Sequence, residues 1–172
     1  MRPSQPVARL ATAVAIGLLL VSACAHSQNA SVADVPFTGA HGSVASIADF
    51  AGRPLVLNMW ATYCVPCVKE MPALDEIATE FADEVNVIGV NVFDTPQKAA
   101  TFARELGVGY SQFSDPDGAL STALAVTGLP ATAFFDANGA LLDVHQGAYT
   151  AAELRDAIAT HRLTGSEGTE TS

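Results

Sequence analysis

"VLNMWATYCVPCVKEMP", residues 56–72, passes from an aliphatic run through two cysteines spaced Cys-X-X-Cys into a helical pattern. The run Pro54–Trp60 is short, apolar and continuous, as in a strand buried on both faces. A helix is expected from about Cys64 to Phe81, because Met71, Leu74, Ile77, Ala78 and Phe81 recur on one face, with a kink at Pro72. Cys64 and Cys67 therefore open a helix, where unpaired amides and the macrodipole favour an anion. That lowers the first thiol's pKa and makes Cys64 the expected nucleophile, while Cys67, one turn deeper, is placed to attack a mixed disulfide on Cys64. Pro66 suits the first turn because no amide hydrogen is needed there.

Three roles are open to such a pair. A structural zinc site needs four ligands, usually Cys and His, and His26, His41, His145 and His161 have no ligand-like spacing; no metal and no cofactor are expected. A disulfide across two residues closes a tiny loop and restricts the unfolded chain little. Reversible redox chemistry is what remains.

The third cysteine bears on the compartment. Residues 1–23 contain Arg2 and Arg9, an apolar run of 12 residues from Leu10 to Val21, and small residues after it. This is the layout of an export signal, and the run is shorter than the roughly 20 residues that span a bilayer. "VSAC" (Val21–Cys24) resembles the bacterial lipobox, which implies lipid attachment at Cys24 and a location at the extracytoplasmic face of the cell membrane, held by the anchor. Exported proteins keep disulfides. The formal charge is −10 and becomes more negative once Arg2 and Arg9 leave, which excludes nucleic acid as a partner.

The remaining length suits one domain. Residues 24–36 read as a flexible tether, 37–162 as the domain and 163–172 as a disordered tail. Val85–Val92 is a second buried strand. "DTPQKAATFAREL" announces a helix capped by Thr95 with Pro96 in its first turn, "DPDG" a turn, and "ALSTALA" a short helix. "ATAFFDANGALLDVHQG" gives two strands around Asn138-Gly139, and "TAAELRDAIATHR" a helix whose Thr150 and Glu153 stand in capping-box spacing. The order implies an α/β fold with a mixed central sheet flanked by helices.

"WATYCVPC" followed by "KEMP" resembles the thioredoxin-like fold, specifically its TlpA/ResA/DsbE group of membrane-tethered extracytoplasmic thiol-disulfide oxidoreductases, and the resemblance covers about Phe37 to Arg162. In "VTGLPAT" it makes Pro130 the family's cis-proline and Leu129 the residue whose backbone pairs with a partner chain. Pro72 matches the family's helix proline. Cytoplasmic thioredoxins carry a buried aspartate six residues before the first cysteine; this chain has Asn58 there, which cannot titrate. Glu70 matches the group's glutamate, and the resemblance implies proton exchange with Cys67. Tyr63 replaces the usual tryptophan and is expected at the partner surface. Trp60 reads first as packing under the loop, with partner contact as a second role.

The implied activity is thiol-disulfide exchange with cysteine-containing exported proteins. It runs either as a reductant, for example on apocytochrome c, or as an oxidant that forms disulfides, with a membrane redox partner and a monomeric enzyme. Two alternatives on the same fold are a copper chaperone, for which a CxxxC and a distant histidine are lacking, and a peroxiredoxin-like peroxidase, for which Thr62 stands without the usual Pro-Thr setting.

Overall fold

The apolar run ahead of the cysteines is the centre of the sheet. β3 (Leu55–Trp60) is buried at every residue and lies between β4 (Asn86–Val92), parallel to it, and β6 (Ala131–Phe135), antiparallel. In the computed structural model, which describes residues 31–39 and 42–163, the sheet is completed by β1 (Phe37–Thr38), β2 (Val44–Ala45), β5 (Ser111–Asp115) and β7 (Leu141–Gln146). Its order is β2-β1-β5-β4-β3-β6-β7. The two strands expected around Asn138-Gly139 form the β6–β7 hairpin, and the first half crosses over in parallel as its helix-bearing connections require.

Period-2 alternation along β3 sends its side chains to two cores. Val56 and Trp60 join Met71, Leu74 and Ile77 of α1 (Val65–Glu80), Ala99 and Ala103 of α2 (Pro96–Leu106), and Leu154 and Ile158 of α4 (Ala151–Thr160). Leu55, Leu57 and Met59 pack on the other face against Leu120 of α3 (Ala119–Ala123) and Ile47. Caps follow the sequence: the Thr95 hydroxyl accepts the Lys98 amide, and Thr150 with Glu153 forms a reciprocal capping box.

The helix at the cysteines has its expected extent, and two boundaries of the domain need correction. The helix at the cysteines runs as one element through Pro72, whose missing amide donor leaves the helix unbroken. The expected tether is part of the domain from Val32 onward: a single turn, Val32–Asp34, sets Val32, Ala33 and Val35 against the second core. At the other end Leu163 is buried and its amide donates to the Ile158 carbonyl, so the domain includes the first residue of the expected tail. The export segment, Cys24 and residues 164–172 lie outside the described residues.

Candidate active site

β3 ends at Trp60, and Ala61–Tyr63 carry the chain to α1. Cys64 caps the helix from extended backbone, and its Sγ accepts the Cys67 amide at 3.3 Å. The two cysteines are joined by a disulfide. Cys67 is fully buried while Cys64 is 8% exposed, so Cys64 is the sulfur an incoming thiol can reach.

Cys64 lines a groove of about 590 Å³ with Tyr63, Val65, Phe93, Thr127 and Leu129, and among the described residues no charged one borders it. Tyr63, Val65 and Phe93 expose 63%, 63% and 62% of their surface, an unusual amount for large apolar side chains, and form an apolar rim. A larger concavity of about 990 Å³ between α2 and β5 contains neither cysteine. The Leu129–Pro130 peptide is cis, and the Leu129 backbone amide and carbonyl make no hydrogen bond among the described residues.

Behind the cysteines, Cys67 and Glu70 lie one turn apart on the buried face of α1. Glu70 is 2% exposed; its Oε1 accepts the Tyr149 amide at 2.8 Å and its Oε2 accepts Asn58 Nδ2 at 3.1 Å. Burial pushes its carboxyl up to about 7 against the pull of those two donors. Asn58 Nδ2 is shared with Thr132 Oγ1 at 3.1 Å, and Asn58 Oδ1 has no partner among the described residues. A neutral amide thus replaces a second ionisable group beside Glu70.

A second buried carboxylate braces the loop ahead of Cys64. Asp94 Oδ2 accepts the Thr62 amide at 2.8 Å and Asn91 Nδ2 at 3.1 Å; Oδ1 accepts the Thr62 hydroxyl at 2.9 Å and Lys98 Nζ at 2.5 Å. Despite its burial, these donors, Lys98 foremost, hold Asp94 down at about 2. The preceding residue, Phe93, has φ 63°, a left-handed conformation rare for a bulky side chain, and its ring lies over Gly118.

Of the residues singled out in the sequence, Cys64, Tyr63, Leu129 and the cis-peptide lie at one groove, and Cys67 and Glu70 lie beneath it. Trp60 does not reach that surface: it is fully buried, its Nε1 donates to Gln112 Oε1 at 3.0 Å and its ring meets Phe102, so partner contact by Trp60 is corrected to core packing. Phe93 and Asp94 are not marked by the sequence, and Thr62 is marked there only as a peroxidase candidate, because the three meet only in the fold. The signal available was slight, an acidic residue directly ahead of the Thr95 cap. Among the described residues no group of three or more His, Cys, Asp or Glu is arranged to hold a metal ion.

The model of the AhpC/TSA family matches residues 28–144. The thioredoxin-like protein YneN of Bacillus subtilis is 31% identical over 121 residues, covering 68% of this chain and 70% of YneN. The thiol:disulfide interchange protein DsbE of Escherichia coli K12 is 38% identical over 97 residues, 56% of this chain and 51% of DsbE, so the chain spans about half of that relative. Among solved structures, MTB dsbF, determined in mixed oxidized and reduced forms, superposes with a TM-score of 0.69 at 27% identity, covering 76% of this chain and 97% of dsbF.

Proposed function

The chain belongs to the AhpC/TSA family, among its thioredoxin-like thiol-disulfide oxidoreductases of the DsbE/ResA/TlpA group, and we propose from this that it exchanges the Cys64–Cys67 disulfide with cysteines of exported proteins. The observation that carries the proposal is a disulfide at the opening of α1, with Cys64 facing a groove lined by uncharged residues and Cys67 buried one helical turn from Glu70.

In the reducing direction, the Cys64 thiolate attacks a partner disulfide, forming a mixed disulfide and expelling one partner thiolate. Glu70 takes the Cys67 proton, Cys67 attacks Cys64 Sγ, and the second partner thiolate leaves. Two electrons have passed to the partner and the Cys64–Cys67 disulfide has formed. A carboxyl that titrates near neutrality is suited to this proton transfer. The reverse sequence oxidises a partner dithiol. The helix start and the Cys67 amide hydrogen bond stabilise negative charge on Cys64, which supports its assignment as attacking and leaving group. Tyr63 and Leu129, with Pro130 fixing the turn after it, are assigned to partner binding.

Lipid attachment at Cys24 and a place on the extracytoplasmic membrane face are part of the same proposal, supported by the apolar run and the "VSAC" stretch. So is action on apocytochrome c as one reductive role. The test is a Cys67→Ser full chain expressed in its source cell: exported cysteine-containing proteins should be recovered as mixed disulfides on Cys64 by mass spectrometry. Recovery of none sinks the exchange proposal. The redox potential then gives direction, a value near −270 mV marking a reductant and one near −120 mV an oxidant.

A further inference from the structure

Gln146 ends β7 opposite Ala131, the first residue of β6, and no step of the exchange reaction uses it. Its side-chain Oε1 accepts three hydrogen bonds: from the Thr127 amide at 2.9 Å, the Thr127 hydroxyl at 2.8 Å and the Gly128 amide at 3.0 Å. A carbonyl oxygen offers two lone pairs, so three donors saturate it, and no other acceptor among the described residues serves those amides. One residue on, the Gly147 amide donates to the Pro130 carbonyl at 2.9 Å. The end of β7 therefore grips the chain on both sides of Leu129, whose own amide and carbonyl have no partner among the described residues and lie at the groove that holds Cys64.

We propose that Gln146 is a positioning residue for polypeptide substrates: it holds Thr127 and Gly128 so that the Leu129 backbone is preset to pair, strand to strand, with an extended segment whose cysteine meets Cys64. This rests on the exchange function proposed above. Backbone pairing is available to a polypeptide and not to a small disulfide, so Gln146 separates two substrate classes that share the same chemistry at sulfur. Holding the loop in place before binding lowers the ordering cost of association, which appears in KM rather than in the sulfur exchange step.

The experiment follows the full chain, kept reduced by dithiothreitol with the uncatalysed rate subtracted, against two oxidised probes, insulin and bis(2-hydroxyethyl) disulfide, which has no peptide backbone. Gln146→Leu, which lacks the acceptor, should lower kcat/KM for insulin at least tenfold, mostly through KM, and leave the bis(2-hydroxyethyl) disulfide rate within twofold. Gln146→Glu, which keeps an oxygen acceptor, should return the insulin value to within threefold of wild type. Because both rates come from one sample, their ratio cancels any loss of folded protein. An unchanged ratio in Gln146→Leu, or a Gln146→Glu variant no better than Gln146→Leu, overturns the assignment. A wild-type chain that exchanges with neither probe overturns the exchange function itself.

Discussion

Glu70 and Asp94 are both buried carboxylates that serve the cysteine segment, 2% and 7% exposed, yet one is pushed up to about 7 and the other held at about 2. Each receives an amide from an asparagine of the central sheet, Asn58 or Asn91, and in each pair the asparagine oxygen is left without a partner among the described residues. Desolvation opposes the charge at both. The difference lies in what answers it: two neutral donors at Glu70, against three neutral donors and the Lys98 ammonium at Asp94. Burial alone therefore does not decide ionisation. Donor count and a nearby cation leave one carboxyl titrating near neutrality and hold the other as an anion that fastens Thr62.

The largest way to break the pair is Asp94→Ala. It strands the Thr62 amide and the buried Asn91 amide, each worth roughly 1–3 kcal/mol when left unsatisfied, so urea unfolding at pH 7 should show a loss of about 4 kcal/mol. The sign of the pH dependence is fixed by the depressed pKa. Wild-type stabilisation from Asp94 is present above the ordinary carboxylate range near 3.8 and is lost as pH falls through about 2. The wild-type advantage over Asp94→Ala should accordingly shrink between pH 4 and pH 2. An advantage that stays constant there means that Asp94 is not the anion its four donors imply.

Glu70→Gln comes next and runs the other way. Because the folded-state pKa is raised from 4.5 to about 7, the protonated carboxyl favours the folded state below the unfolded value, and that stability is lost as pH rises through 7. At about 1.36 kcal/mol per pKa unit, Glu70→Gln should gain up to about 3 kcal/mol relative to wild type between pH 4 and pH 8, whatever constant offset the amide introduces. In exchange assays the same variant should be about tenfold slower or worse and lose the inflection near pH 7. A flat stability difference across this range removes the raised pKa, and an unchanged rate profile removes the proton-transfer role.

The unequal legibility of the two carboxylates in the sequence has a physical cause. α1, its cap at Cys64 and the buried strands β3 and β4 depend on local periodicity and end signals, and were readable. β5, "SQFSD", was not, because a short polar strand has no alternation to mark it, and the two-residue β1 and β2 carry no periodic signal at all. Glu70 was found by resemblance; by residue type alone it is a solvated helix position. Its burial follows from sharing the helix face of Cys67, Met71 and Leu74, under the β7–α4 connection that supplies the Tyr149 amide. Asp94 and Thr62, 32 residues apart, and Gln146 and Thr127, 19 apart, meet only when the sheet forms. No spacing rule in a single chain announces such pairs.

Both the Lys98 ammonium and the neutral donors favour the charged form of Asp94, and Lys98→Met separates their shares with the smallest expected effect. Lys98 is 58% exposed, so its attraction is screened by solvent, and loss of such a pair costs about 1 kcal/mol. Thr62 and Asn91 would still supply three hydrogen bonds to the carboxylate, and charge-assisted bonds of this kind favour the ionised form. The Asp94 carboxyl, followed by carbon-13 NMR titration, should rise from about 2 but stay below 3.8, and the stability difference from wild type should fade in 1 M salt, where the Debye length is about 3 Å. A rise past 3.8 would transfer the credit to Lys98. The contrast with Glu70 would then be one of a cation present or absent, and placing a lysine within reach of Glu70 should lower its pKa in the same way.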